Sequence, residues 1–319
     1  MRVLASRLPA LAAAAVMAVA CAACGSSGTS ASGGATSQPA SAAAFPVTVN
    51  AVNGAVHITS RPTSIISLSP TATEMLYAIG AGSQVKAVDD DSDYPSRAPR
   101  TKLSGFEPNV EAIVSYKPDL VVISDNVNGL AKRLAAFSIP VLELPAPANV
   151  SGVYSQFDEL GSATGHLAQA AQEDTSLRSQ VKHIIAAVPH HSGPLTYYYE
   201  LDQTYYSATS GTFVGQLLGL LGMKSIADAA KGAAAAGGYP QLSSEYILKA
   251  QPDYIILADT LCCRQSAATV AKRPGWSALT AVKDGHIIAL NDDIASRWGP
   301  RIADLLKSVE AGISSGGSR

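Results

Sequence analysis

What this chain of 319 residues has little of narrows its function first. Charged residues make up 15% of it, below the roughly 25% of an average soluble protein. Its 23 lysines and arginines are outnumbered by 25 aspartates and glutamates, for a formal net charge of −2 and a pI of about 6.3. Without a basic excess to neutralise phosphates, a nucleic-acid partner is excluded. No apolar stretch after residue 24 reaches the ~18–20 residues needed to span a bilayer, so a channel or permease is excluded too. Cysteine is scarce. Two of the four lie near the start (Cys21, Cys24), and only Cys262 and Cys263 follow. Adjacent cysteines close no useful loop and lack zinc-finger spacing, so there is no disulfide framework. Two readings of the pair stay open: a strained vicinal disulfide, or two small buried apolar side chains. Also missing are a Gly-x-Ser-x-Gly elbow, a Walker loop and a His-Glu-x-x-His pair. The histidines (His57, His166, His183, His190, His191, His286) avoid the post-strand loops of the first half. The chain therefore reads as no enzyme, with no resident metal or cofactor, and direct zinc or manganese capture is disfavoured. What is present is apolar: 47% of residues, with a mean hydropathy of +0.15. That is enough for sizeable cores, and at about 150 residues per domain it suggests two domains.

The first residues read as a leader. Arg2 and Arg7 precede an apolar run from Leu8 to Ala20, the length of a signal-peptide core. Small residues then lead to Cys24-Gly25-Ser26-Ser27, which resembles a bacterial lipoprotein processing site with Cys24 as the lipidated residue; Cys21 is the alternative acceptor. An ordinary secretory signal with incidental cysteines is the plainer reading. The Ser/Gly/Ala/Thr-rich, nearly uncharged stretch from Gly25 to Ala44 favours lipidation, because an anchored domain needs a flexible tether. The expected location is extracytoplasmic, on the bacterial cell membrane.

The rest is built twice. Glu111-Ala-Ile-Val-Ser-Tyr-Lys-Pro-Asp-Leu-Val-Val-Ile123 and Glu245-Tyr-Ile-Leu-Lys-Ala-Gln-Pro-Asp-Tyr-Ile-Ile-Leu257 lie 134 residues apart throughout. Each is a short helix, a Pro-Asp turn and an unbroken apolar run, the pattern of a strand buried on both faces of a parallel sheet. Proline ends the helix because it supplies no N–H and disfavours helical backbone in the residue before it. Strands are also predicted at 64–68, 85–88, 141–144, 196–201 and 287–290, and helices from Pro70, over 212–221 and from Ile302. Between the halves, Leu160, Ala163, Leu167, Ala170, Leu177, Val181 and Ile184 recur at helical spacing. The spacing predicts a single long helix over 150–188, about 50 Å at 1.5 Å per residue, bracing two lobes with a ligand cleft between them. The expected division is a leader over 1–23, tether and entry strand over 24–60, N-terminal lobe over 61–149, connecting helix over 150–189 and C-terminal lobe over 190–319.

Several segments carry a resemblance: Arg61 to Leu76, Ser92-Asp-Tyr-Pro95, Phe106-Glu-Pro-Asn-Val-Glu111, Tyr239-Pro-Gln-Leu-Ser-Ser-Glu245 and Asp293-Ile-Ala-Ser-Arg-Trp-Gly-Pro-Arg-Ile302. Together they resemble the helical-backbone solute-binding proteins of ABC importers, most closely the cobalamin receptors of the cobalamin and iron-siderophore branch. The resemblance spans residues 60–314 and implies two Rossmann-like α/β lobes. It implies a monomer that carries cobalamin or another corrinoid, or alternatively a ferric siderophore or haem, to a permease dimer with its ATPase. An adhesion or scaffolding lipoprotein is the reading from a different class.

The resemblance also implies roles. Glu111 and Glu245 match the glutamates that dock onto permease arginines, although each also suits the first turn of a helix capped by Asn109 or Ser243. Tyr206, Tyr239, Asp293 and Arg297 match ligand-contacting positions. Two places that hold aromatics in cobalamin receptors carry Asp91 and Ser124 here, and Phe106 is the candidate replacement. Asp293 and Arg297 also read as a simple i,i+4 ion pair. The Asp89-Asp90-Asp91 run reads as a solvated turn. Trp276 and Trp298 read as core or rim, and of Tyr197 to Tyr199 one or two at most can approach a ligand, because strand neighbours alternate faces.

Overall fold

Two parallel sheets stand where the two copies of the repeat fall in the computed structural model, which describes residues 45–316. An antiparallel hairpin comes first, β1 (Val47–Ala51) with β2 (Gly54–Ile58). The sequence suggested a single entry strand here. Instead Val49, Val56 and Ile58 are buried, and the turn residue Asn53 bonds Val141 O (2.9 Å) and Glu143 N (3.3 Å). The hairpin thus covers an edge that would otherwise stay unpaired.

The first sheet contains β3 (Ile65–Leu68), β4 (Val85–Asp89), β5 (Arg100–Leu103), β6 (Leu120–Ile123) and β7 (Val141–Glu143), in the order β5-β4-β3-β6-β7. Its helices are α1 (Pro70–Ala78), α2 (Val110–Ser115) and α3 (Leu130–Ala135). Two connector helices follow, α4 (Val150–Thr164) and α5 (Leu167–Ala187). The second sheet contains β8 (Leu195–Glu200), β9 (Met223–Ser225), β10 (Tyr254–Leu257) and β11 (Ile287–Ala289), in the order β11-β10-β8-β9. Its helices are α6 (Phe213–Leu220), α7 (Ser244–Ala250), α8 (Ala267–Ala271), α9 (Thr280–Lys283), α10 (Asp292–Ser296) and α11 (Ile302–Gly316).

The repeat extends to backbone detail. Asn109 and Ser243 cap α2 and α7 by accepting from Ala112 N (2.9 Å) and Tyr246 N (3.2 Å). Both helices run into a residue with positive φ before the proline, Lys117 at 50° and Gln251 at 48°. The aspartate after each proline then ties two strand starts together. Asp119 accepts from Thr63 N and Ser64 N (2.8 and 3.0 Å), and Asp253 from Thr196 N (2.7 Å).

One expectation needs correcting. The connector is two helices rather than one. Gly165 sits at φ 76°, a left-handed conformation that glycine adopts without steric cost and that ends α4. The helices then cross so closely that a Cβ on Gly161 would lie 2.6 Å from Ala170 Cβ. The apolar spacing on either side of Gly165 is helical, which is why a single helix was expected.

Burial follows the period-2 rule for strands. Ile65, Val88, Leu120, Val122 and Leu142 face a large core that also takes α1, α4, Tyr197, Tyr199, Tyr254 and Ile256 of the second sheet, and Leu305 and Leu306 of α11. Ile66, Ala87, Val121 and Ile123 face a smaller core under α2 and α3. Tyr198, Ile255 and Leu257 face a third around Trp276. The two lobes therefore share one continuous core and each keeps a private one.

Candidate functional site

In parallel α/β sheets, ligands bind outside the carboxyl ends of the strands. Here those ends carry the loops after β4 and β7 in the first lobe and after β8 and β11 in the second. Between them lies a cavity of about 190 Å³, lined by Ala146 from the first lobe and by Tyr199, Leu201, Phe213, Leu217, Tyr239, Ala295 to Trp298 and Leu305 from the second. Its walls are held in place. Tyr199 donates its hydroxyl to Ala295 O (3.2 Å), and Trp298 donates its indole N–H to Gln156 Oε1 (3.1 Å) on α4.

Beside this cavity a charge cluster crosses between the lobes. Glu74 on α1 has no solvent exposure in its side chain. It accepts from Arg297 Nη1 (3.0 Å), from Arg301 Nε (2.8 Å) and, through a second short bond, from Arg301 Nη2. Arg297 also donates to Asp93 Oδ1 (2.8 Å), Asp91 O (3.0 Å) and Asp293 Oδ1 (2.7 Å). The Arg301 guanidinium lies 4.4 Å over the Tyr94 ring. Burial pushes the Asp93 carboxyl up, but the Arg297 hydrogen bond and charge outweigh it and hold the group below its ordinary value. For Asp293, burial and then the charge of Asp93 outweigh Arg297 and raise the group.

The residues singled out from sequence fall in different places. Tyr239 and Arg297 line the cavity together, and Asp293 and the Asp91 backbone join them through Arg297. The i,i+4 pair of Asp293 and Arg297 does form, but it is one strand of the cross-lobe cluster. Burial raises the Tyr239 phenol, partly opposed by Thr212. Tyr206 is half exposed and pairs with Gln241 in an isolated antiparallel bridge. Phe106 is 75% exposed on the loop after β5 and lines no part of the cavity. Trp276 is core and Trp298 is rim; of the three tyrosines on β8, only Tyr199 reaches the cavity.

Other expectations are corrected. Asp89 is not part of a solvated turn. It is buried at the end of β4, and desolvation pushes its carboxyl to about 6. Cys262 and Cys263 are free thiols, and Cys262 is exposed, so the buried-pair reading does not hold for it. Glu111 and Glu245 are exposed in the first turns of α2 and α7, at equivalent places in the two lobes. Cys24 lies outside the described residues.

Three charged features escaped the sequence reading. Glu74 lies 227 residues from its partner Arg301, and Asp93 204 residues from its partner Arg297, so no local spacing betrays these pairs. Glu200, with no side-chain exposure, is bridged by both terminal nitrogens of Arg273. Beside it Asp259 is fully buried with no hydrogen-bond partner on either carboxylate oxygen; burial, then Glu200, push it to about 7.

A two-lobed α/β molecule with strand ends meeting at an apolar cavity and a cross-lobe ionic seam is built to hold a small solute between its lobes. The chain belongs to the periplasmic binding protein family, whose model matches residues 65–294. It is 30% identical to an uncharacterized ABC transporter substrate-binding lipoprotein of Bacillus subtilis, over 84% of this chain and 86% of that one. It is 32% identical to a cobalamin-binding protein of Halobacterium salinarum, over 82% of this chain and 73% of that one. Among solved structures it resembles a possible iron-binding, periplasmic solute-binding protein of Staphylococcus epidermidis, with a TM-score of 0.67 at 27% identity, over 80% of this chain and 99% of that one. The family is a solute-binding class, and no helix among the described residues is long and apolar enough to cross a membrane.

Proposed function

We propose that this chain is the lipid-anchored, extracytoplasmic receptor of an ABC importer, and that its cargo is cobalamin or another corrinoid. The observation that carries the corrinoid reading is the charge at the cleft. Three carboxylates (Glu74, Asp93, Asp293) face two guanidiniums (Arg297, Arg301), a formal excess of one negative charge beside an apolar cavity. Such a rim repels the carboxylates of a porphyrin and the anionic oxygens of a catecholate chelate, and tolerates peripheral amides that donate and accept. The relative of Halobacterium salinarum named for cobalamin supports the same choice. Tyr206, Tyr239, Asp293 and Arg297 are the proposed contacts of the second lobe, with Asp91 and Phe106 from the first. Glu111 and Glu245 are the proposed docking points for the permease, because they are exposed and repeat at matching positions. Cys24 is the proposed anchor.

Native mass spectrometry against cyanocobalamin, haem and a ferric siderophore panel tests the cargo. A one-to-one cyanocobalamin complex is expected. Micromolar or tighter binding of a ferric chelate with no corrinoid complex would overturn the choice of cargo and retain the receptor.

A further inference from the structure

Cys262 and Cys263 line no part of the cavity between the lobes. They lie in the loop that follows β10, both as free thiols, Cys262 exposed and Cys263 half-buried. No group of three His, Cys, Asp or Glu side chains among the described residues could hold a metal ion, so the pair is not part of a metal centre. The two thiols are within hydrogen-bonding reach of each other. The loop is pinned on either side of them. Asp292, in the first turn of α10, accepts from Thr260 Oγ1 (3.0 Å), Leu261 N (2.9 Å) and Cys262 N (2.8 Å). Cys263 O accepts from Gln265 Nε2 (3.0 Å), and Gln265 Oε1 accepts in turn from Arg273 Nη2 (2.7 Å). The peptide that joins the two cysteines differs: neither Cys262 O nor Cys263 N shares a hydrogen bond with another described residue. It can therefore turn, as closure of a ring between neighbouring sulfurs requires, while the anchors on either side hold.

We propose that Cys262 and Cys263 form a reversible thiol–disulfide exchange site whose co-substrate is a low-molecular-weight disulfide. Periplasmic binding proteins work outside the cytoplasm, where such disulfides persist. One cysteine thiolate attacks the external disulfide, forming a mixed disulfide and releasing one external thiolate. The neighbouring thiolate then attacks the bound cysteine sulfur, closing the ring and releasing the second external thiolate. The protein gives up two electrons and two protons, and the external disulfide takes them up as two thiols. The ring is labile by construction. Consecutive Cα atoms are about 3.8 Å apart, short of the roughly 4.4–6.8 Å of an ordinary disulfide, so the bond is strained and readily reduced. It closes no chain loop and so adds almost nothing to stability through the unfolded state. A bond with those properties serves exchange rather than stapling. Partial desolvation of its sulfur, then the Cys263 thiol and Asp292, push the Cys262 thiol up to about 12. Little of its thiolate is present at neutrality, so closure quickens as pH rises.

Peptide mass spectrometry of the purified protein tests this, because the tryptic peptide 250–264 carries both cysteines and no other. The protein is treated with excess oxidised glutathione at mildly alkaline pH, then alkylated and digested. The peptide should appear two hydrogens lighter than its dithiol form, with neither an alkyl group nor glutathione attached. Millimolar reduced glutathione should return it to the form that takes two alkyl groups. Cys262→Ser and Cys263→Ser should each keep one glutathione on the remaining cysteine, since no neighbouring thiol can expel it. A parent peptide that keeps glutathione, that still takes two alkyl groups after prolonged treatment, or that is cross-linked to a second chain would overturn the proposal, as would serine variants that take up no glutathione. A ring that resists reduced glutathione would be a structural disulfide and would overturn exchange. The readout follows this one peptide, so its failure leaves the receptor and cargo readings untouched.

Discussion

Replacing Glu74 by glutamine should loosen the seam between the lobes more than any other single change in the charge cluster. The side chain is wholly buried and its two oxygens take three hydrogen bonds from two arginines of the other lobe. Glutamine keeps the shape but loses the charge, and it turns one acceptor into an amide that points its own hydrogens at a guanidinium. Removing one member of a buried ion pair typically costs about 3–5 kcal/mol, because the remaining charge stays desolvated. Arg301 is only 15% exposed and Arg297 9%, so neither can recover its loss from water. At ~2–4 °C per kcal/mol for a protein of this size class, the first thermal transition should fall by on the order of 10 °C. Asp93→Asn is the internal comparison. Its side chain is 42% exposed, so its bond to Arg297 is worth only about 0–1 kcal/mol and the transition should move by a few degrees at most. Scanning calorimetry of the two variants at neutral pH is the assay. An equal loss in both, or a Glu74→Gln transition within ~2 °C of the parent, would refute the reasoning, since burial would then not be what gives the pair its weight. A double variant with Arg301→Gln should lose less than the sum of the single losses, because the two charges it removes are partners.

Glu111→Ala with Glu245→Ala should abolish uptake of the cargo in cells while ligand affinity stays within about twofold, as both side chains are exposed; an affinity that falls with uptake would move them into the binding cleft. Asp259, raised to about 7 from the ordinary aspartate value, binds a proton more tightly folded than unfolded, so its contribution to stability is greatest at acid pH and is lost as pH rises from about 4 to about 7. Urea midpoints across that window should therefore fall less steeply in Asp259→Asn, and an unchanged slope would reject the assignment. Small-angle scattering with and without ligand should show almost the same radius of gyration, because one core joins the lobes through α4 and α11; a large compaction would require that core to open.

The lobes were legible because their signals are local. Pro118-Asp119 and Pro252-Asp253 each end a helix and start a strand, so the repeat places β6 and β10 without any tertiary information. The break at Gly165 was less legible. A glycine inside a helical pattern is often tolerated, and only the close crossing of Gly161 against Ala170 shows why this chain turns there. The cleft was legible only in part. Resemblance pointed to Tyr239, Asp293 and Arg297, which the structure gathers at the cavity, yet it did not reveal the partners that occupy Arg297, because Glu74 and Asp93 come from the other lobe and sequence spacing carries no information across that distance. Asp89 shows the same limit at short range. Three consecutive aspartates suggest solvent, but the first ends a buried strand and the next two leave it.

The arrangement of these parts constrains how a ligand can act on the molecule. Arg297 already uses four of its five N–H donors on protein acceptors, leaving Nε–H as the remaining one. A ligand that takes a strong bond from Arg297 must therefore displace one of those acceptors. Asp93 is the most exposed of the three carboxylates, at 42%, and is the one that leaves at least cost. Its release would keep Glu74, the buried anchor of the seam, in place between both arginines. Binding would then exchange one surface carboxylate of the first lobe for a polar group of the ligand, with the shared core and the inner part of the seam unchanged. On this account the lobes need not separate for the cargo to be read: the proposed contacts Tyr239, Arg297 and Asp293 keep their places in the second lobe, while the first lobe, besides its own proposed contacts, contributes the carboxylates that hold Arg297.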